Sequence, residues 1–337
     1  MNKLRPLIFL MVLQLNGAMF LYSETVVENY VFFNLDRENI RNASFYNSTQ
    51  FTGAQIKYTW RSLEKEKDVY DFSAITEDLS FLSSKNKKLF IQIQDVSFNA
   101  NIRNVPDYII GDAEYHGGIN AQYEFSDDND NNPRNAGWVA RRWDRAVALR
   151  FHKLLNELGK QFDGKIAGIT LPETAVDFGS TGKYYPLGFS PEIYRDAIKE
   201  NMAAARSAFS RSTVIQYVNF MPGEWLPWDD KGYLSSLFEY AENISVGIGG
   251  PDTIPYKKNQ MNHGYHFAEQ YQGKIKLGFA VQEGNYNQNN TQTGHQVTVQ
   301  EIYNFAKNYL HVDYLFWYPE EPYFTRDVKP LLIREVK

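Results

Sequence analysis

Cysteine is absent from all 337 residues of this sequence. Disulfide bonds and a lipid anchor on an N-terminal cysteine are therefore excluded, so the fold has to depend on its hydrophobic core. An excess of basic charge is also missing, because 35 Lys and Arg face 40 Asp and Glu and the formal net charge is −5. Without a basic face there is no electrostatic footprint for nucleic acid, and we do not expect nucleic acid as a partner.

Long hydrophobic runs are confined to the N-terminus. Lys3 and Arg5 precede the apolar stretch LIFLMVLQL, and small residues follow it, which is the order typical of a secretory signal. We expect a signal peptide over residues 1–23, cleaved after Ala18 or Ser23, and a secreted or periplasmic protein. An uncleaved anchor stays open, since the apolar stretch is near the lower length limit for a membrane span. No later segment has that length and hydrophobicity, so we expect no stable membrane insertion after signal removal.

The rest of the chain alternates short β-type runs with amphipathic helical patterns. The predicted strands are Tyr30–Leu35, Ala54–Trp60, Lys88–Asp95, Lys165–Leu171, Thr213–Phe220, Ile244–Gly249, Lys274–Gln282 and Asp313–Tyr318. Eight strand and helix units predict an α/β fold, a single-domain (β/α)8 TIM barrel over residues 24–337. A doubly wound open sheet is the alternative, disfavoured because no Gly-rich phosphate turn follows the first strand. Ser73 and Ser190 are predicted to cap two of the helices.

One long insertion, from Val96 to about Ala136, interrupts the repeat after the third strand. It contains the acidic segment EFSDDNDNNPRN, which we interpret as a surface loop. A calcium-binding loop is excluded, because Pro133 stands where the required Gly should be and no Glu closes the loop. His263 and His266 lack the carboxylate neighbours of a zinc site, and we expect neither a metal nor a cofactor.

Polar and aromatic side chains gather at the predicted C-terminal ends of the strands, where the functional sites of such barrels lie. Those expected to contact a ligand are Trp60, Gln94, Asn219, Trp225, Trp228, Asp252, Gln282 and Trp317. Aromatic faces together with amide and carboxyl groups suit an uncharged ligand that is rich in hydroxyl groups. The expected ligand is therefore an oligo- or polysaccharide.

Glu173 and Glu283 follow the fourth and seventh predicted strands, on opposite sides of the barrel mouth. Hydrolysis of a glycosidic bond needs such a pair, one carboxylic acid to protonate the leaving oxygen and one carboxylate to attack or to activate water. We predict Glu173 as acid/base and Glu283 as nucleophile of a retaining mechanism. An inverting glycosidase that uses the same two residues, and a barrel that binds glycan without cleaving it, are the alternatives.

The segments WRSLE (residues 60–64) and VYDF (residues 69–72) carry a family resemblance. Together they resemble the segment after the second strand in clan A glycoside hydrolases, in particular the β-galactosidase-like and cellulase-like members. The resemblance implies a (β/α)8 barrel that hydrolyses β-glycosidic bonds. It also implies Glu173 as acid/base, Glu283 as nucleophile and Trp317 as a sugar platform.

Pro172 is a departure from that family, which usually has Asn directly before the acid/base to bind the sugar 2-hydroxyl group. Gln282, Gln94 or Asn219 could supply a substitute contact. Glu173 also shares strand parity with the apolar Leu171, so a regular strand would aim it towards the helices. Because proline has no N–H for the sheet, we predict that Pro172 ends the pairing and turns Glu173 over the barrel mouth.

Overall fold

The computed structural model describes residues 26–335, and the predicted signal peptide lies outside the described residues. The predicted (β/α)8 barrel is confirmed: eight parallel strands form a closed barrel in which each strand pairs with the next and the last with the first. Strands β1 to β8 are Glu28–Phe32, Gly53–Thr59, Lys88–Gln94, Gly168–Leu171, Thr213–Tyr217, Gly247–Gly250, Leu277–Val281 and Tyr314–Trp317.

Each barrel strand is followed by a helix that takes the same number. Helices α1 to α8 are Ala43–Tyr46, Ser73–Ser84, Arg145–Phe162, Pro191–Ala208, Tyr233–Ile244, Gly264–Gln270, Val299–Asn308 and Lys329–Glu335. Shorter helical segments are Arg37–Arg41, Trp60–Leu63, Asp107–Gly111, Ala113–Tyr115, Lys258–Asn262, Asn285–Asn287 and Phe324–Val328, and a hairpin pairs Glu64–Glu66 with Val69–Tyr70. Over residues 26–335, none of the helices combines the length and the hydrophobicity needed to cross a membrane.

The two predicted helix caps have different outcomes. Ser190 caps α4 as predicted: its side chain accepts a hydrogen bond from the Ile193 N–H at 3.2 Å, and Pro191 occupies the first helical position. The prediction for Ser73 is wrong, because Ser73 is already the first residue of α2. Its N–H and hydroxyl both donate to the Asp71 carboxylate, at 3.1 and 2.6 Å, so its side chain is not available to cap the helix.

Two hydrophobic cores lie on the two sides of the barrel wall, because successive side chains of a strand point to opposite faces. The core inside the barrel is mostly aromatic and consists of Tyr30, Phe32, Phe90, Ile215, Tyr217, Ala280, Tyr314 and Phe316. The larger core lies between the strands and the helices and includes Trp60 and Trp317. The parity of a residue within its strand therefore decides which of the two cores its side chain joins.

The insertion after β3 contains a sheet of its own. Three antiparallel strands, Val96–Ser97, Ile119–Glu124 and Arg134–Ala140, form this sheet, which extends past the predicted end of the insertion at Ala136. Arg134–Ala140 is the middle strand of the sheet and pairs with both of the others. The insertion is thus a structured addition to the C-terminal side of β3.

Asp130, in the acidic segment of the insertion, is buried and not part of an open surface loop. Only 1% of it is exposed, and its two carboxylate oxygens accept the N–H groups of Ser180 and Thr181, each at 2.8 Å. The Tyr123 N–H also donates to the Asp177 carbonyl at 2.9 Å. The insertion is therefore bound to the loop that follows β4.

Candidate active site

Glu173 lies where the chain leaves β4. The strand ends at Leu171, and Pro172, which has no N–H, follows it. The side-chain amide of Gln216 on β5 donates to the Pro172 carbonyl at 2.6 Å and holds the turn. Beyond this turn the Glu173 carboxyl faces the barrel mouth, where the Asn219 amide nitrogen lies 3.4 Å from its Oε2.

The charge state of Glu173 is set by burial and by its neighbours. Burial of the carboxyl, followed by the negative charge of Asp252, raises the pKa of Glu173 to about 7. The hydrogen bond from Asn219 and the positive charges of Lys57 and Arg142 act in the opposite direction. A carboxyl group with this pKa is protonated in weakly acidic solution, so it can donate a proton to a leaving group.

Arg142 fixes the backbone at Glu173. Its guanidinium donates to both oxygens of Asp95, at 2.5 and 2.8 Å, and its Nη1 donates to the Glu173 carbonyl at 2.8 Å and to the Tyr194 hydroxyl at 2.6 Å. The Tyr194 hydroxyl in turn donates to the Thr174 carbonyl at 3.1 Å. Sequence reasoning missed Arg142; the signal was Asp95, an acidic residue at the end of a strand that needs a buried partner.

Asn219 follows β5 and contacts the acid. Its amide group donates to Glu173, while its Oδ1 accepts from the side-chain amide of Gln260. Its backbone N–H donates to the Thr174 hydroxyl at 3.1 Å. These partners orient the amide so that its NH2 group faces Glu173. The Asn219 amide contacts the Glu173 carboxyl group, and its contact with a ligand stays a prediction.

Asp252 follows β6 and is half-buried. Its Oδ1 accepts a hydrogen bond from the Asn285 Nδ2 at 2.8 Å. Asn285 is itself fixed, since it is 3% exposed and its Oδ1 accepts the N–H groups of Thr253 at 3.0 Å and Gln282 at 3.1 Å. The loops after β6 and β7 thus hold the Asp252 carboxylate in place, near enough to Glu173 to affect its pKa.

Glu283 lies at the rim of the barrel. Strand β7 ends at Val281, and the chain turns at Gly284, which has a φ of 81°. The Glu283 side chain is exposed, and among residues 26–335 it has no hydrogen-bond partner. Its charge acts on Tyr318, whose pKa is raised by burial and then by Glu283. The structure therefore brings Asp252 to the environment of Glu173 and leaves Glu283 in solvent.

The prediction that Trp60 and Trp317 form sugar platforms is wrong. Both side chains are 0% exposed and lie in the core outside the barrel wall, Trp317 on the outward parity of β8 and Trp60 at the start of the helical segment after β2. The Trp60 Nε1 donates to the Glu64 carboxylate at 2.9 Å, and the Trp317 Nε1 donates to the Asn29 Oδ1 at 2.8 Å. A side chain so enclosed has no face for a ligand.

Trp225 and Trp228 lie in the loop after β5 and are exposed by 47% and 70%. The Trp225 ring lies 5.0 Å from the ring of His263, centroid to centroid. His263 is 2% exposed and fixes this loop, because its Nε2 accepts the Leu226 N–H at 3.2 Å. Both tryptophans present free ring surface, and their contact with a sugar stays a prediction.

Several polar side chains point into the barrel below the mouth. Gln94 is 7% exposed, and its Oε1 has no hydrogen-bond donor in the part of the chain that the structure describes. Lys57, on the face of β2 that also carries Gln55, is half-buried, and burial lowers its pKa. Its ammonium lies 5.4 Å from the centroid of the Phe32 ring. Sequence reasoning missed Lys57, because it lies inside a strand and not at its end. Gln282 directly follows β7 and is half-buried.

A cavity of about 930 Å³ lies at the other end of the barrel. Thr213 and Gly247, the first residues of β5 and β6, line it, and Glu173 and Asp252 do not. Because the chemistry of such barrels occurs at the C-terminal ends of the strands, we assign the candidate active site to the opposite end, around Glu173. Among residues 26–335 no group of three His, Cys, Asp or Glu could hold a metal ion.

Comparisons with known proteins find similarity in structure and none in sequence. No family model matches the chain, and no curated protein does. The catalytic domain of a β-amylase from Paenibacillus polymyxa superposes with a TM-score of 0.58 at 8% identity, over 93% of this chain and 100% of that one. Xylanase 10B from Thermotoga petrophila, in complex with xylobiose, gives 0.53 at 11% identity, over 92% and 95%.

Xylanase 10B from Thermotoga maritima gives a TM-score of 0.51 at 13% identity, over 87% of this chain and 82% of that one. At these identities the similarity shows that the chain shares the (β/α)8 fold of these proteins over nearly the whole described barrel. A fold can host many chemistries, so the activity has to be argued from the site itself.

Proposed function

We propose that the chain is an exported glycoside hydrolase that cleaves β-glycosidic bonds of an oligo- or polysaccharide. The observation that carries this proposal is Glu173, a half-buried carboxyl group at the C-terminal mouth of the barrel whose pKa is raised to about 7. A carboxyl group that keeps its proton near neutrality is what protonation of a glycosidic oxygen requires. The shared fold with a β-amylase and two xylanases supports the same class of reaction.

The surroundings of Glu173 suit this role. Arg142 and Asn219 hold the backbone and the carboxyl group, so the acid is preorganised before a ligand arrives. Carboxylate and amide groups at the same mouth, including Asp252 and Gln94, can bind sugar hydroxyls. The exposed indole side chain of Trp225 supplies an apolar face for the C–H groups of a sugar.

The mechanism needs a second carboxylate. We propose retention of configuration, in which that carboxylate attacks the anomeric carbon, the glycosidic C–O bond breaks, and the leaving oxygen takes the proton of Glu173. Water that Glu173 then deprotonates releases the sugar. In an inverting mechanism the second carboxylate instead takes a proton from the attacking water. The sequence prediction gives this role to Glu283, and Asp252, whose charge raises the pKa of Glu173, is another carboxylate at the mouth.

A second candidate function is a barrel that binds a glycan without cleaving it. Two features favour it: Glu283 is exposed and has no hydrogen-bond partner among residues 26–335, and Pro172 stands where the family that the sequence resembles has Asn. The two functions differ in turnover and not in affinity, so one experiment separates them.

Release of reducing ends from a panel of plant and microbial polysaccharides tests the proposal. We expect cleavage of at least one β-linked glycan and loss of cleavage as the pH rises through about 7, because Glu173 then loses its proton. Replacing Glu173→Ala should reduce kcat by about 10²–10⁴-fold on natural glycans and far less on aryl glycosides with good leaving groups. Binding of a glycan with no turnover by the wild type would instead support the binding barrel.

A further inference from the structure

Asp252 is a half-buried carboxylate that follows β6, at the same end of the barrel as Glu173. We propose that Asp252, and not Glu283, acts together with Glu173 at the anomeric carbon. The inference rests on the proposed function and assigns one of its two roles to a residue that the sequence analysis expected only to bind the ligand.

The position of β6 in the barrel supports this assignment. Glu173 follows β4 and Asp252 follows β6, and β5 lies between these strands. Neighbouring strands are about 4.8 Å apart, so the two strand ends are separated by about 10 Å before the side chains converge on the mouth. The two carboxyl groups of glycosidases lie about 5–10 Å apart, a range that this arrangement can provide.

The environment of Asp252 is that of a positioned group. Asn285 holds one carboxylate oxygen, Oδ1, and is itself fixed by two backbone N–H groups from the loops after β6 and β7. The other oxygen, Oδ2, accepts no hydrogen bond from residues 26–335, so it is available to a ligand at the mouth. A carboxylate with one oxygen fixed and the other free can attack a carbon atom or take a proton from water.

Glu283 has none of these properties. Strand β7 ends at Val281, and Glu283 lies in the turn that follows, with its side chain in solvent. Among residues 26–335 no group donates a hydrogen bond to its carboxylate. The Glu283 carboxylate is therefore neither partly buried nor held in one position, in contrast to that of Asp252.

Isosteric variants test the assignment. Asp252→Asn removes the charge but keeps the oxygen that Asn285 binds, so the loops should stay in place. We expect Asp252→Asn to lower kcat on the cleaved glycan by at least about a thousandfold, and Glu283→Gln by less than about tenfold. Glu239→Gln, an exposed acidic position on α5, is the matched control for the loss of one negative charge. Thermal unfolding of all three variants checks that they are folded.

Azide gives a second readout that a structural role would not affect. In Asp252→Ala the space of the carboxylate is empty, and azide can form the new C–N bond at the anomeric carbon while the glycosidic C–O bond breaks and the leaving oxygen takes the proton of Glu173. Proton NMR should show a glycosyl azide of inverted configuration with Asp252→Ala and none with Glu283→Ala.

The opposite pattern, a large loss and azide rescue with the Glu283 variants only, would overturn the role of Asp252 and leave the proposed function intact. Failure of the wild type to cleave any glycan would overturn both. Rescue of Asp252→Ala with the azide in retained configuration would also contradict the proposal, because it would place Asp252 on the side of the leaving group.

Discussion

Replacing Asp95→Asn should destabilise the folded chain by about 3–5 kcal/mol, the cost of leaving one member of a buried ion pair without its partner. Asp95 and Arg142 are 2% and 3% exposed, and their N–O distances are 2.5 and 2.8 Å. Asparagine offers one accepting oxygen in place of two and carries no charge. Since arginine does not lose its proton in proteins, its positive charge would remain in the interior without a counter-ion.

Urea unfolding at equilibrium measures this effect. With an m-value of about 3 kcal/mol/M, the midpoint should fall by roughly 1–2 M. The double variant Asp95→Leu with Arg142→Leu should recover much of the loss, because no charge is left unpaired, yet it should lower kcat, because the Glu173 carbonyl loses its hydrogen bond. Glu200→Gln, which breaks the exposed pair with Arg145, is the control and should cost under about 1 kcal/mol. If Asp95→Asn also cost under about 1 kcal/mol, the reasoning would be refuted.

Three further predictions concern the barrel mouth and wall. Lys57→Met removes a positive charge that lowers the pKa of Glu173, so the alkaline fall in kcat/KM should move to higher pH; a shift to lower pH in the pH–rate profile would contradict the contact. Trp317→Phe leaves the Asn29 side chain without its indole donor, so the free energy of unfolding in urea should fall by about 1–3 kcal/mol while glycan affinity stays the same. Weaker glycan binding would restore the interpretation of Trp317 as a sugar platform. Trp225→Ala should weaken glycan binding in calorimetry by about tenfold, and unchanged affinity would remove Trp225 from the ligand site.

The barrel could be predicted from the sequence because its strands are buried on both faces. Such strands read as nearly continuous apolar runs, and LGFAV in β7 is an example. The ends of the strands were less accurate: the first strand, predicted over Tyr30–Leu35, is Glu28–Phe32 in the structure. Where a strand begins and ends depends on the strand it pairs with, and that partner cannot be inferred from the sequence of one strand.

The site could be predicted only in part. Glu173 and Asp252 follow strands directly, so a search of strand ends finds both. Trp317 is instead the last residue of β8 itself, and it shares the parity of Leu315 in the outer core, so it faces the helices. Arg142 could not be found in this way. It reaches Asp95 from beyond the insertion, and no sequence pattern around Arg142 identifies Asp95 as its partner.

The hydrogen bonds of Asp130 join the insertion and the loop after β4 into a single unit for protein engineering. A Cβ at Gly179, where φ is +83°, would lie 2.4 Å from the Asp130 Oδ2, so a larger residue at this position would push the two segments apart. Transplanting residues 172–190 alone into another barrel would move the acid without the carboxylate that braces its loop. A working chimera would have to exchange residues 96–140 and 172–190 together.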